Sequence, residues 1–301
     1  MIKYNPKDWF TFIFRIHRSE TFRQLLPLMA GVSTYAFLVT YFELHSFFSK
    51  ESIDTAKNIS AIYSILGFTL SLLLVFRTNS AYDRWWEGRK QWGELTNSSR
   101  ALAAQLNALL SKNHQNRLTV SNYISLFAYT LQAHLKAEKV NTASIESKFD
   151  VSAFSKDDLE KIASSYHQPQ QVYNQLTSLL HELKKQNQYS AEEMYVFKNE
   201  LNKLIEVCGA CERIKNTPIP FSYSVFLKKF VFFYVMIFPL TYGLTMSYFI
   251  VPATALILYV LASLELIAEE IEDPFNGEAN DLPTTEMAEN INKSVTAILL
   301  N

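Results

Sequence analysis

The sequence predicts an all-α membrane protein with four transmembrane helices and a large helical cytoplasmic region. Three observations support this fold class. Residues 25–42, 59–76 and 230–264 form stretches without a charged side chain. The middle of the chain, 77–224, is rich in Leu, Ala, Glu, Lys and Gln, and its apolar residues recur at three- and four-residue spacing. Aromatic residues make up 14% of the chain, which exceeds ordinary soluble usage.

The uncharged stretches have the lengths of membrane-spanning helices. At about 1.5 Å per residue, the stretch 59–76 nearly crosses the roughly 30 Å hydrocarbon core of a bilayer. Taken alone, this stretch also fits a buried helix of a soluble protein. The last stretch is too long for one straight crossing, and Pro239, Gly243 and Pro252 interrupt it. We therefore predict two helices joined by a tight turn near 245–249, which gives four spans in total.

The distribution of Lys and Arg predicts which side of the membrane each part faces. Positive residues gather before the first span and after the second, whereas the connection 43–58 holds only Lys50 and Lys57. Both termini and the middle region are therefore expected in the cytoplasm, because positive residues mark that side. The segment 1–20 lacks a signal-peptide cleavage site, so the first span is expected to act as the insertion signal. The positive residues are Lys3, Lys7, Arg15, Arg18, Arg23, Arg77, Arg84, Arg89, Lys90 and Arg100.

The spans divide the chain into four regions. We predict an N-terminal cytoplasmic segment with the first two spans in 1–76 and a cytoplasmic helical region in 77–225. The third and fourth spans follow in 226–264, and a cytoplasmic C-terminal segment occupies 265–301. Within the helical region, 141–155 is a predicted loop, and the helix after it begins with acidic residues, which favour the N-terminal end of a helix.

Composition and motifs exclude several classes of function. The formal net charge of -1 gives no basic field for nucleic acid, and the sequence has no RNA-binding or zinc-finger signature. It has no glycine-rich phosphate loop and no nucleophile elbow, and its six histidines lack the spacing of a metalloprotease. We therefore expect neither an enzyme nor a nucleic-acid partner. Cys208 and Cys211 have no second ligand pair nearby, which favours two structural thiols in a reducing compartment.

A cluster of charged and aromatic residues follows the second span. The cluster mixes both signs of charge, which favours ion pairs, and its tryptophans add rigid packing surface. We interpret it as a structural junction between the membrane and cytoplasmic parts rather than as a catalytic site. Its residues are Arg77, Asp83, Arg84, Trp85, Trp86, Glu87, Arg89, Lys90 and Trp92.

Acidic residues follow the last span. Their carboxylates could supply oxygen ligands to a hard cation, although their spacing matches no calcium loop. The alternative interpretation is a solvated helix face that leads into a turn. The residues are Glu265, Glu269, Glu270, Glu272, Asp273, Glu278 and Asp281.

Three sequence blocks resemble those of prokaryotic bestrophins. They are 76–93 (FRTNSAYDRWWEGRKQWG), 211–223 (CERIKNTPIPFSY) and 272–283 (EDPFNGEANDLP). The blocks occur in the order that the family has, and the resemblance covers nearly the whole chain. It implies a homopentameric ion channel of the bacterial inner membrane, with four membrane helices per subunit around a central pore. The partners that it implies are the lipid bilayer, small inorganic ions and further copies of the chain.

The resemblance also assigns pore residues. Alignment on the Arg-Trp-Trp motif places three apolar rings of a narrow neck at Phe68, Leu72 and Phe76, and a cytoplasmic constriction at Ile219 and Pro220. Positions four residues apart share one helix face, so five copies would stack these rings about 6 Å apart. A narrow apolar tube that loses its water blocks ions without any charged plug.

Periodicity alone does not select this face of the helix. The same three apolar residues could form a helix-packing or lipid-facing stripe. Ser60, Ser64, Gly67 and Ser71 mark a second candidate pore face. The competing hypothesis for the whole chain is a non-conducting membrane scaffold or sensor whose helical region binds a partner protein.

The expected ion and cofactors follow from the same resemblance. Animal members of the family pass chloride and other anions, whereas Glu43, Glu51 and Asp54 on the predicted outer side favour cations. We expect small monovalent ions, with anions implied by the family and cations as the alternative. Animal members also gate with calcium through a dense acidic run. The matching segment here has only Glu278 and Asp281 as charged candidate metal ligands, so low calcium affinity and no cofactor are expected.

Overall fold

The regular secondary structure of the protein is helical throughout the residues that the structure describes, so the predicted all-α class is confirmed. The structure is a computed structural model, and it describes residues 20–45, 50–111, 114–150, 152 and 154–300. Several residues used for the membrane orientation and the expected ion lie outside the described part. They are Lys3, Lys7, Arg15 and Arg18, together with the side chains of Lys50, Glu51, Asp54 and Lys57.

The helices are numbered in chain order. The first five are α1 (Glu20–His45), α2 (Lys50–Leu109), α3 (His114–Leu135), α4 (Thr142–Glu146) and α5 (Lys156–Ser164). They are followed by α6 (Gln168–Lys185), α7 (Ala191–Asn216), α8 (Phe221–Met246), α9 (Ile250–Glu272) and α10 (Thr284–Leu300).

The described residues form two compact units. One, which we call the apolar unit, contains the described residues up to Asp83 and those from Pro218 to Glu272. The other, the helical body, contains the described residues from Arg84 to Thr217 and from Asp273 onward. The long helix α2 contributes its first part to the apolar unit and its second part to the helical body. These two units do not mark where the membrane ends, so the predicted boundaries between membrane and cytoplasm stay predictions.

The apolar unit is built from α1, the first part of α2, α8 and α9. Among the described residues, three segments are long and apolar enough to cross a membrane, namely Thr21–His45, Ser60–Leu109 and Phe221–Glu272. The helices pack through large aliphatic side chains, so the unit has an apolar core of its own. This core contains Val32, Leu70, Leu74, Leu227, Val231, Val235 and Leu258.

The third apolar segment breaks where the sequence predicts a turn. A short 3-10 helix, Ser247–Phe249, separates α8 from α9, and Ser247 has a positive φ of 50°. The break lies inside the predicted turn 245–249. Pro239 lies within α8 without ending it, and Pro252 lies in the first turn of α9, where a missing backbone N–H is tolerated.

The helical body has a larger core, centred on α3. This helix packs against α10 and α6, and Ile124, Phe127 and Leu131 on it are fully buried. α2 and α7 present the apolar stripes that the spacing within 77–224 predicts, and α10 presents a further stripe. The buried members of these stripes include Leu102, Leu106 and Leu110 on or just after α2, Leu201, Leu204 and Cys208 on α7, and Ala288, Ile291, Val295 and Leu299 on α10.

Side-chain caps fix where several of these helices begin. Ser155 caps α5, whose first turn carries Asp157 and Asp158 as predicted. Ser190 and Glu193 form a reciprocal capping box at the start of α7, which satisfies backbone N–H groups that have no partner in the helix. The predicted loop 141–155 is mostly irregular among its described residues, but it contains the one-turn helix α4.

Candidate functional site

Helix α2 packs one face against α8 within the apolar unit. The Tyr63 ring stacks on the Tyr234 ring with centroids 4.2 Å apart, and Leu70 and Leu74 are buried on the same side. Gly67 belongs to this face, because a methyl group on its Cα would overlap the Tyr234 hydroxyl. The contact of the Tyr234 hydroxyl with α2 at this point therefore depends on the absence of a side chain at position 67.

Gly67→Ala is expected to destabilise the protein by about 1–3 kcal/mol, because Tyr234 and its stacked partner Tyr63 must shift to admit the methyl group. Gly31 on α1 is a matched control, since nothing lies within 4 Å of a methyl group added there. Gly31→Ala is expected to be neutral or stabilising, because alanine is the better helix former. Thermal unfolding of the two purified variants checks the difference, and equal midpoints would contradict it.

Among the residues that the structure describes, none covers the opposite face of α2 in the single subunit. The three residues assigned to the neck lie on it, with exposed fractions of 67% for Phe68, 44% for Leu72 and 61% for Phe76. Large apolar side chains with this exposure require another apolar surface or lipid to cover them. The structure therefore leaves these residues free to meet other subunits, and their role in a neck stays a prediction.

The second candidate face, marked by serines and Gly67, does not form one uncovered surface. Gly67 is directed at Tyr234 on α8, as described above. The Ser64 hydroxyl donates to the Ser60 carbonyl and the Ser71 hydroxyl to the Gly67 carbonyl, both at 2.9 Å. Hydroxyls paired with their own helix can be accommodated in an apolar environment. These serines therefore need no water-filled pore beside them.

Arg77 is the first charged residue after the uncharged stretch, and it is buried. Only 1% of its side chain is exposed, and its Nε lies 3.3 Å from both carboxylate oxygens of Glu265. Its Nη1 lies 2.7 Å from Glu272 Oε2. A buried guanidinium is tolerated here because two carboxylates compensate its charge. Arg77 is in the predicted junction, but its partners were not predicted.

Glu272 also holds the segment assigned to the cytoplasmic constriction. The Ile219 N–H donates to Glu272 Oε1 at 2.6 Å, while the other oxygen of the same carboxylate faces Arg77. Ile219 is half-buried, and Pro220, which precedes α8, is exposed. Arg77, Glu265, Glu272 and the Ile219 N–H therefore form one buried network, which we call the arginine network.

A third acidic residue of α9, Glu269, is also paired. Lys228 on α8 lies 2.8 Å from Glu269, and both side chains are about half exposed. The carboxylates of Glu265, Glu269 and Glu272 thus face basic side chains. Ion pairs are one role of these carboxylates, and cation binding by the acidic run stays a prediction.

Arg84 of the Arg-Trp-Trp motif caps the end of α7. Its guanidinium donates to the carbonyls of Ile214 and Thr217, which lie at the C-terminal end of that helix. Carbonyls in the last turn of a helix have no partner within the helix, so a cation there is favourable. Asp83, the residue before it, has an exposed side chain.

The residues that follow Arg84 complete the junction within the helical body. Trp85 Nε1 donates to the Asn280 carbonyl at 3.0 Å. The Glu87 carboxylate pairs with Arg213 on α7, which is an ion pair between helices of the kind that the mixed charges predict. Trp86 is partly exposed. The motif therefore connects α2 to both α7 and the turn before α10.

The turn before α10 contains the two candidate metal ligands. Asp281 is fully buried, and its Oδ2 accepts hydrogen bonds from the backbone N–H groups of Gly277 at 2.7 Å and Glu278 at 2.9 Å. Gly277 has a φ of 93°, in the region that favours glycine. The Glu278 side chain is exposed. Asp281 thus stabilises the turn, and a role for either carboxylate in metal binding stays a prediction.

The two cysteines are free and buried on α7, in agreement with structural thiols. Burial raises the pKa of the Cys208 thiol, and it raises the pKa of Cys211 to about 12. The negative charge of Glu212 acts in the same direction. Both side chains therefore remain protonated and unreactive at neutral pH.

The all-helical fold and its long apolar segments define an integral membrane protein. A family model described as Bacterial/Fungal Bestrophin protein matches residues 1–297. The chain therefore belongs to the bacterial and fungal bestrophin family, as its three sequence blocks indicate.

Relatives of known name and structure agree with this assignment. A voltage-dependent anion channel-forming protein of Nostoc is 31% identical over 240 residues, covering 77% of this chain and 75% of that protein. The voltage-dependent anion channel-forming protein YneE of Escherichia coli is 31% identical over 223 residues, covering 74% of this chain and 71% of that protein. A crystal structure of a bacterial bestrophin homologue from Klebsiella pneumoniae is 25% identical, with a TM-score of 0.78, covering 93% of this chain and 99% of that one.

Proposed function

We propose that the chain is one subunit of a homopentameric ion channel in the bacterial inner membrane. Membership of the bestrophin family and relatives named voltage-dependent anion channel-forming proteins support this proposal. With α8 and α9 counted separately, the apolar segments supply four membrane helices per subunit. Both termini and the region 77–225 lie in the cytoplasm in this arrangement. Four helices enclose little space by themselves, so the ion pathway follows the axis between subunits.

The uncovered face of α2 is the observation that carries the proposal. Its other face is occupied by α8, which fixes the direction of Phe68, Leu72 and Phe76. Five copies of this face around an axis would form three apolar rings about 6 Å apart. Ions lose hydration in such a neck, and a small widening that admits water permits conduction.

Ile219 and Pro220 form the second constriction in this proposal. The arginine network joins this segment to the base of the neck, because Arg77 directly follows Phe76 and Glu272 holds the Ile219 N–H. A movement of either constriction would therefore displace the same buried charges, those of Arg77 and Glu272.

Anions are the permeant ions that we propose, because the named relatives form anion channels. Apolar rings carry no charge that selects a sign, so selectivity depends on pore width and on charges at the mouths. Glu43 on α1 lies near the predicted outer end, where a carboxylate would favour cations, and one of its oxygens is buried beside Gly243 of α8. Selectivity is therefore the property that the first experiment measures.

Purified protein is expected to have the mass of five chains in detergent and to conduct ions in liposomes. The sign of the reversal potential under a KCl gradient separates anion from cation conduction, and we expect the sign for chloride. A cation-selective current would keep the channel but overturn the proposed ion. A monomer or dimer, or a verified pentamer without flux, would instead favour the non-conducting scaffold or sensor.

A further inference from the structure

Three side chains of the helical body converge although they are distant in sequence. His134 lies in the last turn of α3, His167 directly precedes α6, and Glu212 lies on α7. His134 Nε2 lies 2.6 Å from Glu212 Oε1, and His167 Nε2 lies 2.7 Å from the same oxygen. The two imidazole rings are 4.6 Å apart, and all three side chains are roughly three-quarters buried. The scattered positions of the histidines give no signal of this cluster in the sequence.

We propose that His134, His167 and Glu212 form a binding site for a divalent transition-metal ion, with Zn²⁺ as the preferred occupant. One ligand atom from each of the three residues lies within 4.8 Å of the other two, so short movements suffice to surround an ion. Two imidazoles and one carboxylate are a ligand set that Zn²⁺ uses when a fourth position is left for water. Calcium and magnesium prefer oxygen ligands alone and are not expected to compete.

The metal-free arrangement identifies what an ion would replace. His167 Nδ1 accepts a hydrogen bond from the Gln170 N–H at 3.1 Å, so this ring carries its proton on Nε2 and donates it to Glu212. An ion on Nε2 requires that proton to move to Nδ1, where it opposes the Gln170 N–H. Metal binding therefore breaks the hydrogen bond from the Gln170 N–H to His167 that caps the N-terminus of α6. This competition lowers the affinity and couples occupancy of the site to the first turn of that helix.

A surface cavity provides access to the cluster. It is lined by the three proposed ligands and by residues of both charge signs, including Glu138, Lys139 and Lys215. Lys215 donates to the Leu135 carbonyl, next to His134, which fixes one positive charge near the site. The lysines oppose a divalent cation, so the site is expected to bind Zn²⁺ reversibly rather than as a permanent structural ion.

Titration of the chelator-treated full-length protein with ZnCl₂ tests the proposal. We expect one Zn²⁺ per chain by calorimetry, and affinity reduced at least about tenfold in each of His134→Gln, His167→Asn and Glu212→Gln. Asparagine is a favourable N-cap residue, so His167→Asn preserves the cap of α6. A reduced Zn²⁺ affinity in this variant therefore reports the lost ligand and not an unfolded helix. Saturation with Zn²⁺ is also expected to speed amide exchange at Gln170, which a purely structural cluster would not show.

His181→Asn is the matched control, because His181 is an exposed histidine elsewhere on α6. It is expected to bind Zn²⁺ like the unsubstituted protein. The proposal is overturned if the protein binds no Zn²⁺, or if all three ligand variants retain full affinity while their metal-free forms melt normally. The readout is binding and not ion flux, so its failure would leave the proposed channel untouched.

Discussion

Leu72→Ala is expected to raise ion flux through the reconstituted pentamer about tenfold, which corresponds to a barrier lowered by about 1.4 kcal/mol. The middle ring of the proposed neck would widen and hold water, so that ions keep more of their hydration. Leu72 is 44% exposed in the single subunit, and truncation therefore costs little of the subunit's own core. Chloride efflux from liposomes, normalised to pentamer content, measures the change.

Leu72→Ser separates wetting of the neck from its width. Serine and alanine have similar volumes, but the hydroxyl attracts water, so the serine variant is expected to conduct more than the alanine variant. Leu256→Ala is the matched control, because Leu256 is an exposed leucine on α9, away from the proposed neck. Its flux should equal that of the unsubstituted channel. A verified Leu72→Ala pentamer with unchanged flux would contradict the assignment of this ring.

Local periodicity accounts for the part of the fold that the sequence could predict. Leu102, Leu106 and Leu110 are buried because residues at this spacing share one face of a helix, whatever the face meets. The break at Ser247 is likewise local, since an uncharged run longer than a bilayer must turn. Features that depend on a few neighbouring residues were therefore predictable without knowledge of the packing.

Partners that the fold brings together from distant parts of the chain were not predictable. Arg77 and Glu265 are 188 residues apart, and nothing in the spacing of charges near either residue specifies the pair. Arg84 has acidic neighbours along its own helix, yet its guanidinium reaches the end of α7. Unsatisfied helix-end carbonyls attract it there, and their location is known only from the fold.

The proposed neck was only partly predictable from the sequence. Spacing alone left two faces of α2 open, and the family resemblance selected the apolar one. In the structure Gly67 of the alternative face packs against Tyr234, and the assignment of the pore face stays a prediction. The direction of a helix face becomes known only when its neighbours are known, which is why periodicity could not decide between the two.

Arg77→Met is expected to destabilise the protein by about 3–5 kcal/mol, because it leaves Glu265 and Glu272 buried without a compensating charge. Methionine fills a similar volume, so the loss reports the charge rather than a cavity. Combining Arg77→Met with Glu265→Gln and Glu272→Gln should restore much of the stability, since no buried charge then remains unpaired. Denaturant or thermal unfolding in detergent measures all three levels.

Lys228→Met is the matched control for the arginine network. It removes a cation from the pair with Glu269, but both side chains there are about half exposed. Water then solvates the remaining carboxylate, so the loss should stay within about 1 kcal/mol. Equal losses of stability in Arg77→Met and Lys228→Met would mean that burial does not determine how much the arginine network stabilises the protein. A large loss at Arg77 that the two glutamine substitutions do not relieve would mean that packing, and not charge, holds this part of the apolar unit together.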